Sequence, residues 1–275
     1  MAYKRGDQIA IYASSFLPAK MMFHLTLALV RLVNRLIFRL KIEGRERLRQ
    51  VRSALVVSNH TLVLDPGIIA QVLRPQRTHF TMLEETACIP LLGTFVRLLG
   101  AIPIPAGSGS VRILERTLRA GLHELPFVHV FPEGECYLWN QEIKEFQPGA
   151  FYLACRLRLP VVPVTTVLHQ RRWLGRASFC FAGRRIRIPP QVTVVIGEPV
   201  YPDGTAERSL KREAMEMSRE IRCVMQRAID QQGGSKSISR GRMARLSLQQ
   251  AQPGFRTGSA EQPDGCRVKL AAGSP

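Results

Sequence analysis

The chain has 275 residues, 45% of them hydrophobic, and a net charge of +18 at pH 7. This length can bury one full core, so we expect one principal domain with appendages. Its six cysteines form no close pairs or ligand clusters, which argues against disulfides and zinc, and we expect no metal. Because only 7% of the residues are aromatic and no nucleic-acid module is recognisable, the charge indicates an anionic membrane or substrate, not nucleic acid.

The first predicted element is a basic amphipathic helix over residues 16–40. Apolar side chains fill most of its surface, and one face carries an arginine at every fourth position: Arg31, Arg35, Arg39. The longest uncharged stretch, residues 21–30, is about half of the ~20 residues that span a bilayer. We therefore predict that residues 1–45 form a membrane-interface segment and that the protein is peripheral on the cytoplasmic face. The alternative is a helix packed on the globular domain.

Residues 46–232 alternate predicted strands and helices. This alternation predicts an α/β domain with a mixed, largely parallel sheet flanked by helices. The predicted strands are 53–58, 101–104, 127–131, 161–168, 178–182 and 191–196. The predicted helices are 66–73, 88–99, 110–122, 149–157 and 205–231. Beyond residue 232 the composition shifts to Ser, Gly, Gln, Pro and Arg, and we predict a disordered basic tail over residues 233–275.

Two polar segments follow apolar runs of this predicted domain. The run over residues 54–58 ends in Asn59 and His60, with Asp65 five positions after the histidine. A neutral imidazole can take a proton from a hydroxyl, and a carboxylate on its other nitrogen holds the tautomer and stabilises the imidazolium. Asp65 precedes a proline and an apolar helical pattern, so helix capping is the alternative role. No GxSxG elbow or nucleophilic cysteine motif accompanies the pair, which suggests that a substrate hydroxyl is the nucleophile.

The second segment begins at Phe131 and continues with Pro132, Glu133, Gly134 and Glu135. Together with Asn59, His60 and Asp65, and with the proline-containing apolar strand at 159–164, it resembles the ordered blocks of the glycerolipid acyltransferase family. This family includes the 1-acylglycerol-3-phosphate acyltransferases, and the resemblance covers roughly residues 20–230. A weaker block at 98–104 agrees in order and separation.

The resemblance implies roles for individual residues. His60 would be the general base, Asp65 would orient it, and Asn59, Glu133, Gly134 and Glu135 would belong to the substrate site. The acyl donor would be a thioester of coenzyme A or acyl carrier protein, with no further cofactor, and the acceptor a lysolipid in phospholipid biosynthesis or remodelling. A plain turn is the alternative for Glu133.

The chain departs from the family pattern after Gly134. The family usually continues with Thr-Arg, and the arginine is thought to hold the acceptor phosphate, whereas this chain has Glu135 and Cys136. Residues 156–187 carry eight arginines and no acid, and Arg184 and Arg185 are candidates for the missing phosphate charge. A solvated basic loop is the alternative for that stretch.

Three functions follow from these residues. The first is an O-acyltransferase acting on membrane lipids. The second is a hydrolase that uses the same His/Asp pair on a thioester or lipid, and the third is a catalytically silent membrane-surface binding protein.

Overall fold

The structure is a computed structural model. It describes residues 34–83, 101–104, 126–169, 178–203 and 209–234, with short gaps at 63, 75–77, 182–183 and 188–189, and also isolated positions within 21–32 and 111–119. The predicted helix over 88–99, the predicted tail beyond residue 234 and most of the predicted N-terminal helix and of helix 110–122 lie outside the described residues.

Nine strands and three α-helices carry the fold within these ranges. The strands are β1 (Lys41–Glu43), β2 (Ala54–Ser58), β3 (Thr78–Leu83), β4 (Ala101–Ile104), β5 (Phe127–Val130), β6 (Val161–His169), β7 (Ser178–Phe181), β8 (Arg184–Arg187) and β9 (Gln191–Ile196). The α-helices are α1 (Asp65–Val72), α2 (Gly149–Leu157) and α3 (Leu210–Gln231). A π-helical turn over Asn34–Phe38 and a 3-10 helix over Arg45–Gln50 precede β2.

Seven strands form one sheet in the order β1-β9-β6-β2-β5-β3-β4. The pairs β6-β2, β2-β5, β5-β3 and β3-β4 are parallel, while β9 runs antiparallel to β6. The prediction of a mixed, largely parallel sheet is therefore confirmed. Because β2 and β5 are parallel neighbours, the segments that follow them emerge at the same edge of the sheet.

Each face of the sheet is covered by a different set of helices. On one face, α1 buries Ile68, Ile69 and Val72 against side chains of β2 and β5. On the other, α2 and α3 bury Phe151, Ile221 and their neighbours against the alternate residues of the same strands. Successive strand residues point to opposite faces, so β2 and β5, with apolar side chains on both, are buried strands between two helical layers.

Several predicted elements need correction. Strands β1 and β3 were not predicted, and the basic stretch containing Arg184 and Arg185 is strand β8, paired antiparallel with β7, not a loop. The loop prediction is wrong because arginine side chains say little about whether the backbone finds a pairing partner. The side chains of residues 178–189 lie outside the described residues.

Candidate active site

The two polar segments predicted from the sequence meet at one edge of the sheet. His60 lies two residues beyond β2, and Phe131 follows β5 directly. The backbone N–H of His60 donates a hydrogen bond of 2.9 Å to Oε1 of Glu133. Residues 73 positions apart in the chain are thereby brought into contact, as the parallel pairing of β2 and β5 requires.

His60 and Asp65 form the predicted pair. The turn over residues 61–64 brings Oδ2 of Asp65 to 3.1 Å from Nδ1 of His60. The Asp65 side chain is fully buried, while that of His60 remains 19% exposed. This arrangement engages one ring nitrogen with the carboxylate and leaves Nε2 as the nitrogen that a ligand can reach.

The same carboxylate oxygen organises the turn that precedes it. Oδ2 of Asp65 accepts hydrogen bonds from the backbone N–H groups of Thr61, at 2.6 Å, and Leu62, at 2.7 Å. Burial raises the pKa of Asp65, while the bonds from His60 and from the two amides act in the opposite direction by stabilising the carboxylate. Leu64, not Asp65, holds the N-cap position of α1, so the capping alternative is wrong.

Asn59 links the end of β2 to β6 through two hydrogen bonds. Its Nδ2 donates to the carbonyl oxygen of Thr166 at 3.0 Å, and its Oδ1 accepts from the Thr166 N–H at 2.8 Å. The side chain is 2% exposed and continues the pairing of β2 with β6 beyond the last strand residue. The described contacts of Asn59 are therefore with the protein backbone beside His60.

Glu133 accepts a hydrogen bond from the backbone of His60. Its Oε1 accepts from the His60 N–H, and its Oε2 accepts from the Lys144 N–H at 3.1 Å. The residue is 6% exposed, and burial raises the pKa of its carboxyl to about 7. Since both oxygens bind backbone amides, Glu133 holds the turn of His60 against the segment around residue 144.

The two positions after Gly134 are where the chain departs from the pattern of the family that it resembles. Gly134 has a φ of 74°, a left-handed conformation that glycine adopts without a Cβ penalty. Glu135 and Cys136 follow, both partly buried. Burial, reinforced by the carboxylates of Asp65 and Glu133, raises the pKa of the Cys136 thiol to about 12, so it is a neutral thiol near neutral pH.

Residues 137–140 form hydrogen bonds with the turn that begins at His60, which the sequence did not reveal. The N–H of Tyr137 donates to the carbonyl of His60 at 2.9 Å, and that of Trp139 donates to Thr61 at 2.8 Å. The Thr61 hydroxyl in turn donates to the carbonyl of Asn140 at 2.9 Å. Residues 137–140 therefore form a second wall along the His60 turn, and the only signal for them was their position after Glu135.

The aromatic rings of Phe131 and His129 pack one after the other beside His60. The role of His129 was not predicted from the sequence. Phe131 stacks on the imidazole of His60, with ring centroids 4.0 Å apart and an interplanar angle of 16°. Its own partner is His129, whose ring meets it edge-on at 4.5 Å and 81°. Nε2 of His129 is 2.8 Å from Oγ of Ser58 on the neighbouring strand. The available signal was the strand alternation that places residues 129 and 131 on one face.

The described ranges lack two features. They hold no helix that combines the length and the apolar composition of a bilayer-spanning segment. They also contain no group of three or more His, Cys, Asp or Glu side chains placed to hold a metal ion. Arg184 and Arg185 are described only as backbone positions of β8.

Comparison with known proteins shows what this domain is similar to. Residues 39–167 match the family model described as Acyltransferase. A human protein, 1-acyl-sn-glycerol-3-phosphate acyltransferase beta, is 30% identical over 60% of this chain and 57% of its own length. The 1-acyl-sn-glycerol-3-phosphate acyltransferase of Saccharomyces cerevisiae is 30% identical over 45% of this chain and 41% of its own length. The chain spans about half the length of the curated relatives it matches.

A solved structure shares the fold. The crystal structure of the 1-acyl-sn-glycerophosphate acyltransferase of Thermotoga maritima superposes with a TM-score of 0.54, covering 80% of this chain and 85% of the other at 20% identity. At this level of identity the likeness concerns the architecture alone.

Proposed function

We propose that residues 39–167, which match the acyltransferase family model, form an acyltransferase domain and that the whole protein is an O-acyltransferase of phospholipid biosynthesis or remodelling. It moves a fatty acyl group from a thioester of coenzyme A or acyl carrier protein to a free hydroxyl of a lysophospholipid such as 1-acylglycerol-3-phosphate. The acceptor is proposed from the substrate for which the human and Saccharomyces cerevisiae relatives are named, and the geometry of His60 and Asp65 supports the reaction.

The observation that best supports this proposal is the partly exposed imidazole of His60, whose Nδ1 is held by the buried carboxylate of Asp65. Nε2 of His60 takes the proton of the acceptor hydroxyl, and the Nδ1–H bond to Asp65 stabilises the imidazolium that forms. The hydroxyl oxygen attacks the thioester carbonyl. As the tetrahedral intermediate collapses, the C–S bond breaks, and the leaving sulfur receives the proton from Nε2 of His60.

The acceptor oxygen is itself the nucleophile in this scheme. Cys136 lies close enough to Asp65 and Glu133 for their charges to act on it, yet its raised pKa leaves it as a neutral thiol, which is a poor nucleophile. A direct transfer needs no covalent acyl-enzyme intermediate. Cys136 stands where the resembled family usually has an arginine, so this position supplies no positive charge for a phosphate. Arg184 and Arg185 are therefore our candidates for the charge that recognises an acceptor phosphate.

Membrane association is part of the proposal because the substrates are lipids. The described helical positions near the N-terminus expose large apolar side chains spaced three or four residues apart, and the next turn continues the series: Met21, Leu25, Leu29, Leu32, Leu36. Residues 1–50 also hold ten lysines and arginines against three acids. An apolar stripe flanked by basic charge suits the headgroup region of an anionic bilayer, with the protein peripheral on the cytoplasmic face.

The test is acyl transfer by the purified full chain with labelled acyl-CoA or acyl-carrier protein and a panel of lysolipids. We expect acceptor-dependent ester formation that His60→Ala lowers at least 10²-fold, because a placed base supplies about 10²- to 10⁴-fold. His169→Ala is the matched control, since that imidazole contacts Thr193 on β9 and not the site. Release of free fatty acid independent of acceptor would instead identify a hydrolase. Liposome binding without turnover would identify a binding protein.

A separate variant tests whether the arginines of β8 recognise the acceptor phosphate. Replacing Arg184, Arg185 and Arg187 together with Gln should raise KM for a phosphate-bearing acceptor and leave KM for the thioester unchanged. An unchanged acceptor KM would remove these arginines from the proposal.

A further inference from the structure

Beside His60 lie the rings of Phe131, His129 and Phe80 and the hydroxyl of Ser58. Phe131 contacts His60, His129 contacts Phe131, and Phe80 and Ser58 contact His129. We infer that Phe131, held in place by His129, is a positioning residue that sets the plane of the His60 imidazole for proton transfer. The inference rests on the proposed function, because it takes His60 to be the base. It adds a device to the reaction that the pair of His60 and Asp65 does not contain.

Strand alternation explains why these rings meet. Phe127, His129 and Phe131 are two residues apart, so their side chains share the face of β5 that carries α1. Phe127 packs in the core of that face, while Val128 packs in the core of the opposite one. Because β5 is paired with β2, the side chain that follows β5 on this face reaches the residue that follows β2.

The stack restrains a motion that the Asp65 bond leaves free. A single hydrogen bond from Nδ1 to Oδ2 at 3.1 Å fixes one point of the imidazole, about which the ring can still tilt. The Phe131 ring, 4.0 Å away and 16° from parallel, lies against the flat face of the imidazole and opposes that tilt. With both restraints, Nε2 keeps one direction toward the acceptor hydroxyl, and small errors in such alignment cost rate.

His129 is held firmly enough to support the stack. It is fully buried, its Nε2 is 2.8 Å from the Ser58 hydroxyl, and Phe80 lies tilted against it at 5.1 Å. Burial lowers the pKa of His129 to about 3, so the ring stays neutral at the pH of the reaction. A neutral ring supports Phe131 without adding a positive charge near His60 that would make the base harder to protonate.

Phe131→Leu is the primary variant, because it keeps an apolar side chain of similar size and removes the flat ring. We expect kcat to fall about fivefold to tenfold, the order of one aromatic contact, with KM for donor and acceptor unchanged. Phe131→Tyr should restore kcat to within about twofold, since it restores the ring on a partly exposed side chain. Equal kcat in all three proteins, or a Tyr variant as slow as the Leu variant, would overturn the inference.

Phe127→Leu separates positioning from plain core packing. It is the same substitution on the same strand and the same face, at a ring that is 1% exposed. We expect Phe127→Leu to lower the melting temperature at least as much as Phe131→Leu while leaving kcat unchanged. If kcat instead tracks melting temperature across both variants, Phe131 only stabilises the fold and the inference fails.

The part assigned to His129 is tested by a double-mutant cycle. If His129 acts by holding Phe131, then His129→Leu lowers kcat, and combining it with Phe131→Leu gives no larger loss than the worse single variant. Losses that multiply would show that the two residues act separately, and this part of the inference would be refuted.

A spectroscopic readout keeps the result independent of the proposed reaction. A proton of His60 above the face of Phe131 is shielded by the ring current, so its resonance should lie upfield and move downfield in Phe131→Leu but not in Phe127→Leu. An unshifted His60 resonance would refute the stack even in an active enzyme. A shielded His60 in a protein that transfers no acyl group would refute the proposed function alone.

Discussion

Replacing Asp65 by Asn tests the central geometry with the smallest change in shape. Asn can keep an oxygen at the Oδ2 position, where Asp65 accepts from the amides of Thr61 and Leu62 and from Nδ1 of His60. What disappears is the negative charge that stabilises the imidazolium. The amide nitrogen would then occupy the position of Oδ1, a buried atom with no hydrogen-bond partner among the described residues.

The two consequences differ in size. Loss of the carboxylate should remove most of the advantage of a placed base, so we expect kcat to fall about 10²- to 10⁴-fold. A buried amide without a partner costs about 1–3 kcal/mol of unfolding free energy. The removal of a buried charge offsets part of that cost, because burial already disfavours the ionised form of Asp65. Folding should therefore survive while turnover is lost.

The assay pairs single-turnover acyl transfer with urea denaturation of the same preparation. We expect a folded variant with near-normal binding of the thioester and a much lower rate. The reasoning would be refuted by a variant whose rate stays within about threefold of wild type. It would also be refuted if the residual rate equalled the wild-type rate multiplied by the folded fraction, since Asp65 would then serve the turn alone.

Three further predictions concern the surroundings of the base. The raised pKa of Glu133, about 7 against an ordinary value of 4.5, means that its stabilising contribution is fully present below pH 4.5 and is lost as pH rises through 7. The unfolding free energy of wild type relative to Glu133→Gln should therefore fall by about 3 kcal/mol between pH 4.5 and 8 in urea titrations, and a pH-independent difference would contradict this. Asn59→Ala should cost about 1–3 kcal/mol in the same assay, because it leaves the Thr166 N–H buried without its partner, while the Thr166 carbonyl keeps only a 3.5 Å contact with Nε2 of Gln141. A cost below about 1 kcal/mol would refute this role of Asn59. Leu29→Glu with Leu36→Glu should weaken sedimentation with anionic vesicles at least about 10²-fold, since each leucine contributes about 1.5–3 kcal/mol when buried in the bilayer, and unchanged binding would place the membrane surface elsewhere.

Much of the sheet was readable from the sequence because its strands are long apolar runs. The predicted strands at 101–104 and 191–196 have the observed bounds, and helix α2 begins and ends at the predicted residues. β1 and β3 were missed because β1 has three residues and β3 mixes Thr and His with apolar side chains. Such segments are strands only because a neighbour supplies their hydrogen bonds, and periodicity does not record that.

The site residues show the same difference between local contacts, which the sequence predicted, and long-range contacts, which it did not. His60 and Asp65 could be paired from the sequence because a single turn of four residues connects them. Asn59 and Glu133 were placed in the site, but their partners are 107 and 73 residues away, so their contacts with backbone amides and carbonyls could not be foreseen. His129 was not singled out at all, because a histidine inside an apolar strand carries no local sign of the ring beside it.

The contacts of Glu133 and Phe131 with His60 follow from the parallel pairing of β2 with β5, whereas the contacts of Asp65 are local ones whose choice over capping only the folded turn shows. That pairing joins residues far apart in sequence, and no local pattern encodes which strands become neighbours.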